Sequence, residues 1–194
     1  MPLYDPQTAL VIVDLQNDFA DPAGSLFVAG GEEVIAVANE ERVRAREAGA
    51  EVVFTQDWHP PHTPHFAQDG GIWPVHCVQG TWGAAFCPGV VVDGVVLRKG
   101  IDGRDGYSGF SVRDPASGAT EPTELERLLR EAAVRRLVIT GIATDYCVVE
   151  TVADARTLGF DVDVIADGIR AVDRAPGDGV RAIVRMRDAG AEIV

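Results

Sequence analysis

Residues 136–166 read RLVITGIATDYCVVETVADARTLGFDVDVIA, and the order of patterns within that stretch decides the fold. The Val/Ile-rich run at 136–140 has the composition of a strand buried on both faces, as in a parallel sheet. A helical pattern follows at 145–158, Gly159 is placed as its C-terminal stop, and a second apolar run lies at 161–166. Strand, helix and strand in that order are the parts of a parallel crossover unit.

The same pattern extends outward in both directions. Further apolar runs at 9–13, 51–55, 90–97 and 191–194 bring the candidate strands to six. Helical patterns occupy 32–48 and 177–189, with Gly49 and Gly190 at their ends. Another is formed by Leu125, Leu128, Leu129, Ala132 and Ala133, one helix face behind a capping box of Thr123 and Glu126. The alternation predicts an α/β fold, a three-layer αβα sandwich around a mostly parallel six-stranded sheet. At 194 residues the chain is expected to form one domain, 1–194, around one core.

Two stretches, 56–89 and 100–121, break the alternation and are rich in Pro, Gly, His, Trp and Asp. Long loops in a compact domain are usually functional. Open α/β sheets bind ligands at the carboxyl ends of their strands. Asp14 follows the first candidate strand, Asp57 and His59 the second, Lys99 the third and Cys147 the fourth. Four different chemical groups are therefore expected at one sheet edge.

Composition narrows the function classes. The net charge of −13, from 30 acidic against 17 basic residues, repels a phosphate backbone or an anionic membrane surface. The longest apolar runs, 9–13 and 137–142, fall far short of the roughly 20 residues of a membrane helix. The N-terminus lacks a basic start and an apolar signal run, so a cytoplasmic address is expected. Cys77, Cys87 and Cys147 show no CxxC spacing, and their odd number leaves at least one thiol free. Of the 17 basic residues only Lys99 is lysine, and it directly follows Arg98. That position therefore requires something other than positive charge, and a compact ammonium with a movable pKa is what arginine lacks.

Cys147 lies where a strand gives way to a helix, with Thr144 or Asp145 as candidate N-cap. A thiol in the first turn meets unpaired N–H groups and the positive end of the helix dipole, which favours the thiolate. A cysteine nucleophile needs a group that takes its proton and returns it to the leaving amine, and Asp14 is the candidate. Asp18 is a similar carboxylate nearby, but Asp14 directly ends the apolar strand. Lys99 would hold the carboxylate and sulfur charges together. All four histidines, His59, His62, His65 and His76, fall within 18 residues just after Asp57. Imidazole and carboxylate together suit a divalent metal, although spacing alone does not choose three histidines from four.

Together these residues resemble the nicotinamidase branch of the isochorismatase-like hydrolases over almost the whole chain. The likeness is carried by VDLQNDF at 13–19, DWH through HF at 57–66, WPVHC at 73–77, RKG at 98–100, YSGF at 107–110 and GIATDYCV at 141–148. The resemblance implies the isochorismatase-like hydrolase fold, a triad of Asp14, Lys99 and Cys147, and metal ligands Asp57, His59, His65 and His76, leaving out His62. It further implies a cis peptide between Ile142 and Ala143, an oxyanion hole from the N–H groups of Ala143 and Cys147, and aromatic walls from Phe19, Trp73 and Tyr107. The implied reaction is hydrolysis of nicotinamide, an aromatic amide, to nicotinate and ammonia through a thioester, with a role in NAD salvage. One divalent metal, Zn, Fe or Mn, would receive the pyridine nitrogen directly or through water. YSGF stands where many relatives have alanine before the phenylalanine, and Tyr146 stands where histidine is frequent. Two other readings remain: a related amidase acting on a small carbamoyl or ureido compound, and a metal- or ligand-binding module without turnover. An exposed edge at the C-terminal strand would be open to pairing with a second copy of the chain.

Overall fold

The computed structural model describes residues 2–194. Its centre is β1, Thr8–Val13, every residue of which is buried. Such a strand must be covered on both faces, and its side chains divide accordingly: Ala9, Val11 and Val13 enter one core while Leu10 and Ile12 enter the other.

Around β1 the chain runs through a short helix α1, Asn17–Ala20, then α2, Gly31–Glu47, and β2, Glu51–Asp57. Next come β3, Val95–Lys99, and a small hairpin of β4, Ser111–Arg113, and β5, Thr120–Pro122. Helix α3, Leu125–Glu131, leads to β6, Arg136–Ile142, α4, Val149–Thr157, and β7, Asp161–Arg170. The chain closes with α5, Asp178–Asp188, and β8, Glu192–Ile193. The main sheet has the order β3-β2-β1-β6-β7-β8, and all of its pairings are parallel. On one face Leu125 and Leu129 of α3, Val149 and Val152 of α4 and Met186 of α5 pack over Leu137 and Ile139. On the other, Val34, Ala38 and Ala45 of α2 pack over Leu10, Ile12 and Phe54. This is the expected three-layer sandwich with six strands.

Several boundaries differ from the sequence reading. The third strand begins at Val95 rather than 90, and its Val95 and Val96 are exposed at the sheet edge. The stretch 100–121 is not all loop, because β4 and β5 pair within it. The capping box is only half made. Thr123 Oγ1 accepts from Leu125 N–H at 3.2 Å, but Glu124 occupies the N-cap and Glu126 lies beside Arg130. Gly49, Gly159 and Gly190 all take positive φ after their helices, as expected of C-terminal stops. Among the described residues no helix is long and apolar enough to cross a membrane.

Leu137 is fully buried between β1 and the helices of its face. Leu137→Ala is expected to lower unfolding stability by about 2–5 kcal/mol, whereas Val96→Ala on the exposed edge should stay within about 0.5 kcal/mol. Urea unfolding of both variants checks the difference.

Candidate active site and metal centre

The carboxyl ends of β1, β2, β3 and β6 bring their polar residues to one point. At the end of β1, Asp14 takes a φ of 50° that turns the chain out of the strand, while its N–H reaches the Thr55 carbonyl at 3.3 Å. Its Oδ1 accepts a 2.7 Å bond from Thr55 Oγ1. Lys99, the last residue of β3, is 1% exposed. Its Nζ lies 2.7 Å from Asp14 Oδ2, 2.5 Å from Asp57 Oδ1 and 3.5 Å from Cys147 Sγ, and it also donates to the Gly106 carbonyl. One ammonium thus joins two carboxylates and a thiol. Removing a charged partner from so buried a group costs about 3–5 kcal/mol.

Strand β6 ends at Ile142, and the Ile142–Ala143 peptide is cis, as the resemblance implies. The next turn, Thr144–Val148, is π-helical, with Ala143 rather than Thr144 or Asp145 as its N-cap. The Ala143 carbonyl accepts from Tyr146 at 3.1 Å and Val148 at 3.0 Å, the neighbours of Cys147 on either side. Asp145 does not cap the turn because its carboxylate is taken by the N–H groups of Val172 and Asp173, each at 2.9 Å. It ties the Cys147 turn to the loop after β7.

The electrostatics of the cluster are set by burial and by its own charges. Burial pushes the Cys147 thiol well above its usual range. Lys99 pulls it down, but Asp14 and Asp57 push it up again. Desolvation and two adjacent carboxylates thus act against the thiolate, and Lys99 acts for it. Burial also raises Asp14, with Asp57 adding to it, against the pull of Lys99 and Thr55. Asp57 moves the other way. Burial raises it, yet Lys99 together with His59 and His76 holds it below the usual carboxylate range. Burial opposes charge on Lys99, but Asp14, Asp57 and Cys147 keep its proton affinity well above normal. The resulting arrangement pairs a lysine cation with an Asp57 anion, beside a thiol and an Asp14 carboxylate whose affinities for the proton are both raised.

Beside this cluster, ring nitrogens of His59, His65 and His76 lie within 4.8 Å of one another. Asp57 spans the two groups. Its Oδ1 meets Lys99, and its Oδ2 lies 3.5 Å from His59 Nε2 and 4.0 Å from His76 Nε2. His65 Nδ1 lies 2.6 Å from Asp105 Oδ1, and His76 Nδ1 lies 2.8 Å from the Pro74 carbonyl. Both contacts suit Nδ1–H donors, which leave Nε2 as a free lone pair. His59 is fully buried, and neither of its nitrogens has a hydrogen-bond partner. A buried imidazole in that condition is accounted for by a metal ion. Burial, with repulsion from His59 and His65, pushes His76 down to about 4 against the attraction of Asp57 and Pro74, so it is the neutral ligand form at neutral pH. The residues present therefore fit one divalent cation. Gly100 makes room for the His59 ring: at φ 75° a Cβ there would lie 2.6 Å from it. His62 is exposed near Asp69 and belongs to no part of the cluster.

A small pocket opens onto Cys147, Asp57, His65 and His76. Phe19, Trp73 and Tyr107 all line it. Trp73 Nε1–H donates to the Tyr107 hydroxyl at 2.8 Å and packs edge-on against Tyr146 with centroids 4.7 Å apart. Leu26, Val28 and Val172 complete the apolar wall without any sequence signal pointing to them. Tyr146 could be found through its position next to Cys147. Asp105 was missed, since nothing in the spacing of loop 100–121 singles out the one carboxylate that meets a histidine.

Comparison with known proteins agrees with this geometry. The isochorismatase-domain family matches residues 8–194. The nicotinamidase of Escherichia coli (strain K12) is 37% identical over 206 residues, covering 97% of this chain and 94% of its own. Pyrazinamidase of Pyrococcus horikoshii, solved in complex with zinc, is similar with a TM-score of 0.87 and 39% identity over 97% of this chain and 99% of that one. PnC1 from L. infantum, solved in complex with nicotinate, is similar with a TM-score of 0.86 and 34% identity over 100% and 95% of the two chains.

Two outcomes are expected from this site. Alkylation of Cys147 by iodoacetamide should accelerate only at a higher pH than that of a free cysteine thiol, because the thiolate reacts and burial with Asp14 and Asp57 raises the thiol; mass spectrometry across pH reads this. Asp105→Ala should weaken zinc binding by about 10–100-fold through loss of the His65 contact, read by chelator competition.

Proposed function

The chain belongs to the isochorismatase family, and we propose from that premise that it is an amidohydrolase that converts nicotinamide and water to nicotinate and ammonia. The observation that carries the reading is the Lys99 ammonium held between Asp14 and Cys147, with three buried histidines across Asp57. The nicotinamidase relative from Escherichia coli and the nicotinate complex of PnC1 support the choice of substrate.

In this reading residues 1–194 form one hydrolase domain, and the small aromatic amide enters between Phe19, Trp73 and Tyr107. His59, His65 and His76, with Asp57, hold a divalent metal that, when bound, supplies a Lewis-acid contact for the pyridine nitrogen. Asp14 takes the Cys147 proton as the sulfur attacks the amide carbon. The N–H groups of Ala143 and Cys147 receive the oxyanion. Asp14 then gives its proton to the leaving nitrogen, so that ammonia departs and a thioester remains on Cys147. A water molecule, deprotonated by Asp14, attacks the thioester; nicotinate leaves, and the sulfur recovers its proton from Asp14. Lys99 stays charged throughout, balancing whichever of Asp14 and Cys147 carries the negative charge.

Ammonia release from nicotinamide by the purified chain, before and after chelation and with zinc, iron(II) or manganese(II) restored singly, tests the reading. Turnover lost with chelator and restored by one of the metals is expected. Absence of ammonia under every metal would refute the assignment of substrate. Cys147→Ala should lower kcat by about 10⁴-fold or more with the fold retained. Lys99→Arg should lie within about tenfold of Lys99→Ala, because a planar guanidinium does not fit the position of a compact ammonium. Steady-state rates and circular dichroism check both.

A further inference from the structure

Asp18 is a buried carboxylate that the proposed reaction does not use. It is 8% exposed, and its two oxygens are occupied by main-chain donors. Oδ2 accepts from Cys77 N–H at 2.7 Å and Oδ1 from Ser25 N–H at 3.1 Å. Its own N–H bonds the Gly83 carbonyl at 3.0 Å. Gly83 packs so closely that a Cβ there would collide with the Asp18 carboxylate.

The residue that Asp18 grips is unusual in its own right. Cys77 is fully buried and has a φ of 46°, a left-handed conformation that a side chain other than glycine adopts only when its surroundings hold it. Cys77 directly follows His76, and its carbonyl accepts the His59 N–H at 3.0 Å. Gln79 N–H returns to the His59 carbonyl at 2.9 Å. A single peptide segment thus sets the positions of two of the three clustered histidines, and Asp18 holds that segment from its N–H side. On this geometry, and resting on the metal reading above, we propose that Asp18 is a positioning residue for the metal centre. It acts through Cys77 to hold His59 and His76 at the separation a divalent ion needs.

An aspartate fits this task for a specific reason. Both main-chain partners are donors, so each needs an acceptor, and a carboxylate offers one on each side. Asparagine presents an acceptor to one of them and its NH₂ group to the other. Asp18→Asn therefore breaks one contact while conserving size, and the metal site is the part of the molecule that registers the loss.

Zinc affinity of the folded chain, measured by competition with a chromophoric chelator, is the test. Asp18→Asn is expected to weaken zinc binding by about 10–100-fold, the range for loss of groups that orient metal ligands. At saturating zinc, kcat should recover to within a few-fold of wild type. Gly83→Ala, which leaves the acid in place but crowds its carboxylate, should weaken zinc in the same direction and covers the case in which Asp18→Asn fails to fold. Unchanged zinc affinity in folded Asp18→Asn or Gly83→Ala, beside normal binding by wild type, overturns the inference and leaves the metal reading intact. A wild-type chain that binds no zinc overturns both. A purely structural role predicts a lower urea midpoint with zinc affinity per folded molecule unmoved, and that result also counts against the proposal.

Discussion

The Lys99 ammonium is the contact on which the site depends. It is almost wholly removed from water, and in that setting a positive charge is tolerated only with partners at hydrogen-bond distance. Asp14, Asp57 and the Gly106 carbonyl provide them, from the ends of β1 and β2 and from the loop after β3. β1 and β2 are buried on both faces of the sheet, and β3 lies at its edge with Lys99 turned inward. The charge cluster is therefore as rigid as the layers beneath it, and the thiol of Cys147 is presented to a cation already fixed in place.

Asp57 gives this cluster a second half. One of its oxygens serves Lys99 while the other faces His59 and His76, so a single carboxylate lies between the lysine cluster and the histidines. That division accounts for why Asp57 lies below the usual carboxylate range while the proton affinity of Asp14, also buried, is raised. The two aspartates share Lys99 and differ in their other neighbours: Asp57 also faces His59 and His76, whereas Asp14 also faces the Asp57 charge. The histidines are oriented from outside in turn, by Asp105 and by the Pro74 carbonyl. The loops that break the α/β alternation are thus occupied with holding ligands at fixed angles.

The cavity joins both halves. Its walls are aromatic and aliphatic, its floor carries the thiol, and one side carries the histidines. In the proposed reading, a flat ring bearing one amide and one ring nitrogen lies between those apolar walls with its amide toward the thiol and its nitrogen toward the histidines.

Much of this could be read from the sequence because it is local. Apolar runs of strand length, glycines at helix ends and a polar residue directly after each run depend on neighbours in the chain, and they led to the α/β sandwich and to Asp14, Asp57, Lys99 and Cys147 at one edge. The single lysine among sixteen arginines, and motifs in family order, narrowed the chemistry further. What the sequence left open depends on sums over distant segments. That Asp14 and Asp57 raise the Cys147 thiol, that Asp145 bonds the loop after β7 rather than capping its own turn, and that Asp105 meets His65 all arise from groups 27 or more residues apart. So does the bond from Cys77 to Asp18 across 59 positions. Pattern and spacing determine which residues reach the site; desolvation and the charges of chain-distant neighbours, which exist only once the layers have packed, decide what state each one is in.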